Sequence, residues 1–333
     1  MNHAQKHMNI VFFGSSQFAV PSLQTLLTTQ HKISCVVTQP DRKKGRGLHF
    51  EGTVVKTMAE EFGIKIYQPQ NINTDEATKF FKDLNPDLFI VISYGQILSQ
   101  EILDIPKIFC LNVHASSLPR YRGAAPINWA IINGEKNTGV TIIKMTDQMD
   151  AGWIILQKMI EIKDDDTAIT LEDRLSKVAA ESLFDSLQSI EDNHYQLTPQ
   201  DEREVSFAPK LKKEDGLINW NKSAYQIYNL IRGILDWPGA FTYYQGKLLK
   251  IYKARVATSP PHYLTLPVRQ AGTSPGEVMQ VARDGIIIAT QEGNLIIEEL
   301  QIENKRRMKV AEFISGHKIQ AGEILGKKSC NRN

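Results

Sequence analysis

A chain of 333 residues with 42% apolar and 23% charged residues has the composition of a soluble globular protein, with room for one large domain or two ordinary ones. No apolar run approaches the roughly 18 residues of a membrane span, and the N-terminal MNHAQKHMNIVFFG lacks the apolar stretch and cleavage site of a secretory signal. The formal charge of +2 hides an asymmetry: residues 1–202 carry 19 Lys and Arg against 25 Asp and Glu, while residues 203–333 carry 20 against 12, so a mildly acidic body precedes a basic segment suited to a polyanionic partner.

The first eight residues read as a polar tail. NIVFFG (9–14) is a continuous apolar strand ending at Gly14, and FAVPSLQTLLTT an amphipathic helix with Leu23, Leu26 and Leu27 on one side. ISCVVTQ is a second strand, TVVKTMAEEFG a helix closed by Gly63, and KIYQP a short third strand. TDEATKFFKDLN is a helix opened by Thr74, PDLFIVISYG a fourth strand and IFCLNVH a fifth. Helices alternating with strands that are apolar throughout predict an α/β fold, with a Rossmann-like, mostly parallel sheet covered on both faces. Such sheets bind ligands beyond the carboxyl ends of their strands. GVTIIKMTDQMDAGWIILQKMIEI (139–162) adds further strands around a polar turn, and residues 167–190 form a long helix with an apolar stripe.

Past that helix, a charged stretch without periodicity reads as a linker. SAYQIYNLIRGI is helical again, and AFTYYQGKLLKIYKARV and GEVMQVARDGIIIATQEGNLIIEELQI read as short strands joined by Gly-containing turns. A small antiparallel OB-like barrel is the closure such strands predict. The expected organisation is an α/β domain over 1–192, a linker over 193–213, the barrel over 214–325 and a tail over 326–333, with a Pro/Ser/Thr-rich barrel loop at 257–275.

Three cysteines, Cys35, Cys110 and Cys330, lack C-x-x-C spacing and leave an odd number, which argues for a reducing cytosol and against a disulfide framework or a zinc site. No cluster has metal-ligand spacing, so no metal is expected. The first strand is followed by GSSQFA, which lacks the G-x-G-x-x-G that lets a backbone approach a pyrophosphate, so NAD binding is disfavoured.

The fifth strand ends in NVHASS, where Asn112, His114 and Ser116 alternate. A period of two sends the Asn112 and His114 side chains to one face. An imidazole titrates near neutrality and moves protons, and an amide can donate to a developing oxyanion. DQMDAGWI offers Asp150 in a turn as the carboxylate that orients the ring. Such a trio suits acyl transfer in which the substrate is itself the nucleophile, an amine for instance. Cys110 is expected in a buried strand and no G-x-S-x-G occurs, so no protein nucleophile stands beside them.

The segment NVHASSLPRYRGAAPINWAIINGEKNTGVTIIKMTDQMDAG resembles the formyltransferase family that uses 10-formyltetrahydrofolate, whose pattern is Asn-x-His, then Ser-Leu-Leu-Pro-x-Tyr-Arg-Gly, then an Asp-x-Gly turn. The resemblance extends through FAPKLKKEDGLINW and IRGILDWPGAF to about Ile324. It implies that Asn112, His114 and Asp150 are the catalytic trio and that Ser116, Ser117, Leu118 and Pro119 contact the folate, Ser117 standing where the family has Leu. VISYGQIL (91–98), with Tyr94, Gly95 and Ile97, would line the pterin pocket.

TQPDRKKGRGL (38–48) resembles the loop with which some members grip the acceptor stem of initiator methionyl-tRNA, Arg46 being the arginine expected to meet it. Arg42, Lys43, Lys44 and Arg46 among glycines carry charge enough to meet phosphates. ENKRRMK (303–309), with Lys305, Arg306 and Arg307, is either a second tRNA contact or a plain charged turn. The implied reaction is formyl transfer from 10-formyltetrahydrofolate to the α-amino group of initiator methionyl-tRNA, in the cytoplasm, with no obligate protein partner. The alternatives are formylation of an amino-sugar nucleotide, which would not need the basic loop, and a non-catalytic tRNA-binding protein.

Overall fold

The computed structural model of the chain describes residues 7–44, 49–257 and 273–326. Arg46, Cys330, the N-terminal residues through Lys6 and nearly all of the 257–275 loop lie outside the described residues, and Lys43 and Lys44 are described by their backbone only. The chain divides into two compact units. One holds the residues up to Pro126 together with Asn137–Glu161 and Leu171–Pro209; the other holds Ile127–Lys136, Ile162–Thr170 and the chain from Lys210.

The first unit follows the predicted alternation: β1 (Asn9–Gly14), α1 (Val20–Leu27), β2 (Lys32–Val37), the short pair β3 (Arg42–Lys44) and β4 (His49–Glu51), α2 (Val54–Glu61), β5 (Ile66–Tyr67), α3 (Asp75–Leu84), β6 (Leu88–Ile92), α4 (Gln100–Leu103) and β7 (Phe109–His114). The chain then forms α5 (Pro126–Ile132), which from Ile127 belongs to the second unit, returns to the first for β8 (Asn137–Lys144) and β9 (Trp153–Glu161), and continues into α6 (Ala168–Glu191), which belongs to the first unit from Leu171. Seven strands form one sheet in the order β5-β2-β1-β6-β7-β8-β9. Pairing is parallel from β5 to β7; β8 runs antiparallel to both neighbours. Because β1 lies between β2 and β6, the chain reverses its winding there, and the carboxyl ends around that reversal are where such a sheet opens a crevice.

Val11 and Phe13 point into a cluster with Phe81 of α3, Ile102 of α4, Phe89 and Tyr94, whereas Ile10 and Phe12, of opposite parity, are equally buried. Apolar side chains on both sides of β1 are what a central parallel strand requires. Thr74 opens α3 as expected, its hydroxyl accepting from the Ala77 N–H at 3.2 Å. Gly63 closes α2 with a φ of +64°, a region open to glycine at little cost.

In the second unit, α7 (Ala224–Gly233) starts with a capping box in which Ser223 and Gln226 each bond the other's backbone N–H. β10 (Ala240–Tyr244), β11 (Lys247–Val256), β12 (Val278–Ala282), β13 (Gly285–Ala289), β14 (Asn294–Ile302) and β15 (Met308–Lys309) make an antiparallel sheet in the order β10-β11-β14-β13-β12, with β15 on β14, and α8 (Val310–Gly316) follows. Residues 322–326 bond to both ends of that order: Gly322 N–H donates to Val278 O and Gly326 N–H to Tyr243 O. This segment spans the gap between β10 and β12, the arrangement an OB-like barrel needs.

Candidate active site

Strand register places the site. Asn112, two residues from the end of β7, pairs with Val91 on β6 and with Ile143 on β8, and His114 pairs with Thr141. Val91, Asn112 and Ile143 thus stand side by side across three strands, and all three line a cleft of about 340 Å³ at the carboxyl end of the sheet. The turn between β8 and β9 folds back over the same end and brings Asp150 into the cleft wall.

Asp150 is the hub. Its Oδ1 accepts from Asn112 Nδ2 at 3.1 Å and lies 3.5 Å from His114 Nδ1. Its Oδ2 accepts from the Gly123 N–H at 2.8 Å. His114 Nε2 is 2.9 Å from the carbonyl oxygen of Tyr121. A carbonyl only accepts, so Nε2 carries a proton and Nδ1 is the ring nitrogen that faces the carboxylate. The ring and carboxylate are mostly shielded from water, with side-chain exposures of 7% and 13%, so the interaction between them is weakly screened. Asn112, His114 and Asp150 are brought together.

The cleft also takes in Tyr94, Gly95 and Ile97. Ile97 is largely exposed, whereas the Tyr94 ring is buried edge-on against Phe13, and its hydroxyl is buried without a hydrogen-bond partner. Burial pushes the Tyr94 phenol well above its ordinary range, so it stays neutral. Gly95 has a φ of +92°.

The tetrapeptide 116–119 is not among the cleft-lining residues. Ser116 is fully buried and its hydroxyl donates to Arg120 O, Ser117 lies against Met159, and the Leu118 N–H donates to Thr141 Oγ1. These contacts fix the loop that carries Tyr121 and Gly123. The cleft lining comes from Val91, residues 93–98, Asn112, Gly123, Ala124, Ile143 and residues 145–150.

One site group escaped the sequence reading. The Gly123 N–H orients Asp150, and a backbone donor has no residue-type signature. Gly123 has a φ of +126°, and a Cβ there would lie 2.6 Å from the carbonyl oxygen of Ala208. Only glycine brings that N–H so close. The partner strip comes from the stretch read as linker: Ser206 Oγ accepts from the Tyr121 N–H, Ser206 O from the Arg122 N–H, and Arg122 O accepts from the Ala208 N–H.

Among the described residues, neither thiol is poised as a nucleophile. Burial pushes Cys35 up to about 12 and also raises Cys110, two residues before Asn112. Only the thiolate reacts. In the folded protein at a pH of about 8, where an ordinary thiol is partly ionised, neither is expected to react with iodoacetamide, and both are expected to react after unfolding in urea. Peptide mass spectrometry reads the outcome, and native labelling of Cys110 would contradict this picture. Among the described residues, no group of three or more His, Cys, Asp or Glu is placed to hold a metal, and no helix is long and apolar enough to cross a membrane.

Of the basic residues singled out, Arg42 is exposed on β3 and donates to Gln39 Oε1. Arg306 pairs with Glu312, and Arg307 pairs with Glu299 and lies over the Tyr252 ring. Lys305 is exposed in the same turn.

A family profile described as formyl transferase matches residues 8–187, and one described as formyl transferase, C-terminal domain, matches residues 210–318. The methionyl-tRNA formyltransferase of Acetivibrio thermocellus is 45% identical over 319 residues, covering 96% of this chain and 100% of that protein. That of Citrifermentans bemidjiense is 43% identical over 324 residues, covering 97% and 98%. HypX from Aquifex aeolicus, solved in complex with tetrahydrofolic acid, shares the fold with a TM-score of 0.62 at 18% identity over 93% of this chain and 47% of its own. WlaRD, a sugar 3N-formyl transferase solved with dTDP and 5-N-formyl-THF, does so with a TM-score of 0.64 at 22% identity over 90% and 100%. Relatives matched from end to end at this identity, and two profiles that follow one another along the chain, make it a member of the formyl transferase family, alongside the methionyl-tRNA formyltransferases.

Proposed function

We propose that the chain transfers the formyl group of 10-formyltetrahydrofolate to the α-amino group of initiator methionyl-tRNA, in the cytoplasm. The observation that carries this reading is that Asn112 and Asp150 line the cleft, with the buried His114 ring directly behind them, Nδ1 3.5 Å from Asp150 Oδ1. The lining fits a flat, polar heterocycle: Val91, Leu98 and Ile143 give apolar surface, while Gln96, Asp147 and the backbone of 93–96 offer hydrogen-bonding groups. When bound there, the folate supplies an activated formyl carbon for the amine to attack.

The side chains then have separate tasks. Asn112 has two amide N–H donors, and Asp150 takes one, leaving the other for the formyl oxygen as charge develops on it. His114 accepts the proton released by the attacking amine at Nδ1, and Asp150 Oδ1 stabilises the resulting imidazolium. An α-amino group titrates near 8, and an ester neighbour lowers that, so modest base help suffices. The same Nδ1 proton is then available to the leaving nitrogen.

Binding of tRNA is assigned first to the basic loop with Arg42, Lys43, Lys44 and Arg46. Lys305, Arg306 and Arg307 form a second candidate contact. The ion pairs of Arg306 and Arg307 are at the surface, worth about 1 kcal/mol or less, and can be exchanged for phosphates at little cost.

Competition between acceptors tests the reading: purified protein is incubated with 10-formyltetrahydrofolate and either charged initiator tRNA or an amino-sugar nucleotide. Formylmethionyl-tRNA is the expected product, identified by acid gel or mass spectrometry. Formylation of the sugar nucleotide alone, or of neither acceptor, would overturn the proposal.

A further inference from the structure

We infer that Gln200 is a positioning residue for this reaction, acting through Asp150. The inference rests on the formyl-transfer reading above. The turn that carries Asp150 (residues 145–152) is outside helix and strand, and Asp150 itself sits at a φ of +52°, in the left-handed region that a non-glycine residue enters only when its surroundings hold it there. Within the turn, the backbone bond from the Ala151 N–H to Gln148 O is long, at 3.3 Å. The turn is therefore held from outside.

Gln200 supplies that hold. Its Nε2 donates to the carbonyl oxygens of Asp150 and Gly152, both at 2.8 Å. Its Oε1 accepts from Arg122 Nε at 3.0 Å and from Arg122 Nη2 at 2.8 Å. Carbonyls only accept and a guanidinium only donates, so the orientation of the amide is dictated by its partners. All four of its hydrogen-bonding valences are used.

Arg122 is itself fixed. Its side chain is 7% exposed and pairs with Glu202, and its backbone N–H and C=O bond to Ser206 and Ala208. A chain of contacts thus runs from Glu202 through Arg122 and Gln200 to the backbone on either side of Ala151. It sets the height of the Asp150 carboxylate, while the Gly123 N–H sets its direction. Only a carboxamide supplies two donors at one end and an oxygen that accepts twice at the other, and asparagine carries that group on an arm one methylene shorter.

Gln200→Glu separates positioning from packing. It keeps the shape and the acceptors for Arg122 but turns both donors into acceptors that face carbonyl oxygens. The expected result is a kcat lower by about 30-fold, since displacements of about an ångström have effects of this order, with KM for both substrates little changed and an unfolding midpoint that, though lowered by the lost hydrogen bonds, stays above the assay temperature. The same substitution is then made in an Asp150→Asn background. If Gln200 acts through Asp150, it adds nothing there, because coupled residues are non-additive.

Should Gln200→Glu fail to fold, Glu202→Arg, at a side chain 72% exposed, opposes Arg122 from the surface and is expected to lower kcat by about threefold, again only while Asp150 is intact. Wild-type kcat in the variant that folds, or an equal loss with and without Asp150, overturns the inference. Asp150→Asn with wild-type turnover would instead overturn the functional reading beneath it.

Discussion

Asp150→Asn is expected to lower the rate of formyl transfer by roughly 10³-fold, within the range that well-placed acid–base groups contribute. The substitution is nearly isosteric, so the loss comes from polarity. Oδ1 faces the Asn112 amide and the His114 ring, and Oδ2 faces the Gly123 N–H. An asparagine must direct its NH₂ at one set or the other. If it replaces Oδ1, a donor meets the Asn112 amide donor and faces the imidazole without a charge to stabilise its protonated form. If it replaces Oδ2, the Gly123 N–H loses its acceptor and the loop swings. Both outcomes leave His114 without a carboxylate counter-charge, and both release the Asn112 amide from its fixed direction or free the loop beside it. Single-turnover formylation of methionyl-tRNA measures the chemical step, and binding of folate and tRNA should survive. A variant within tenfold of wild type would show that the trio does not perform the transfer.

The sequence made some of this arrangement visible and hid the rest, for physical reasons. Uninterrupted apolar strands separated by amphipathic helices are the consequence of burying both faces of a parallel sheet, so β1, β2, β6 and β7 were legible from hydropathy alone. The parity of Asn112 and His114 follows from strand geometry and needs no partner. Asp150 could be named because a carboxylate in a turn before glycine is a recognisable feature, although its approach to His114 depends on β8 running antiparallel between β7 and β9, which hydropathy does not encode. The folate tetrapeptide was assigned by resemblance; hydropathy does not show that Ser116 bonds Arg120 O within the loop while the Leu118 N–H bonds Thr141 of β8. Gly123 contributes through its backbone, which any residue possesses. Residues 198–208 lack periodicity because they cross the loop ends as two isolated bridges, Thr198 with Ile154 and Phe207 with Arg122, on either side of a single 3-10 turn at Glu202–Glu204. A charged, aperiodic segment reads as linker whether it is solvated or stitched down.

Gly152→Ala is expected to damage both fold and function, and to separate the hairpin's role from that of the carboxylate. A Cβ on Gly152 would lie 1.9 Å from the carbonyl oxygen of Lys144 and 2.9 Å from its carbonyl carbon. Both are backbone atoms of β8, and Lys144 is paired in register with Trp153. No rotamer change relieves such a contact, so the hairpin must splay at the rung that sets the start of the Asp150 turn. Overpacking of this kind costs about 3 kcal/mol, to be read as a lower denaturation midpoint. The displaced turn carries Asp150 with it, and kcat should fall by about 100-fold, as for a misplacement of about an ångström. Gly316→Ala is the matched control: nothing lies within 4 Å of its Cβ position in α8, so that variant should be neutral or slightly more stable and fully active. If Gly152→Ala matches the control in midpoint and turnover, the close approach of β8 to this turn does not set the position of Asp150.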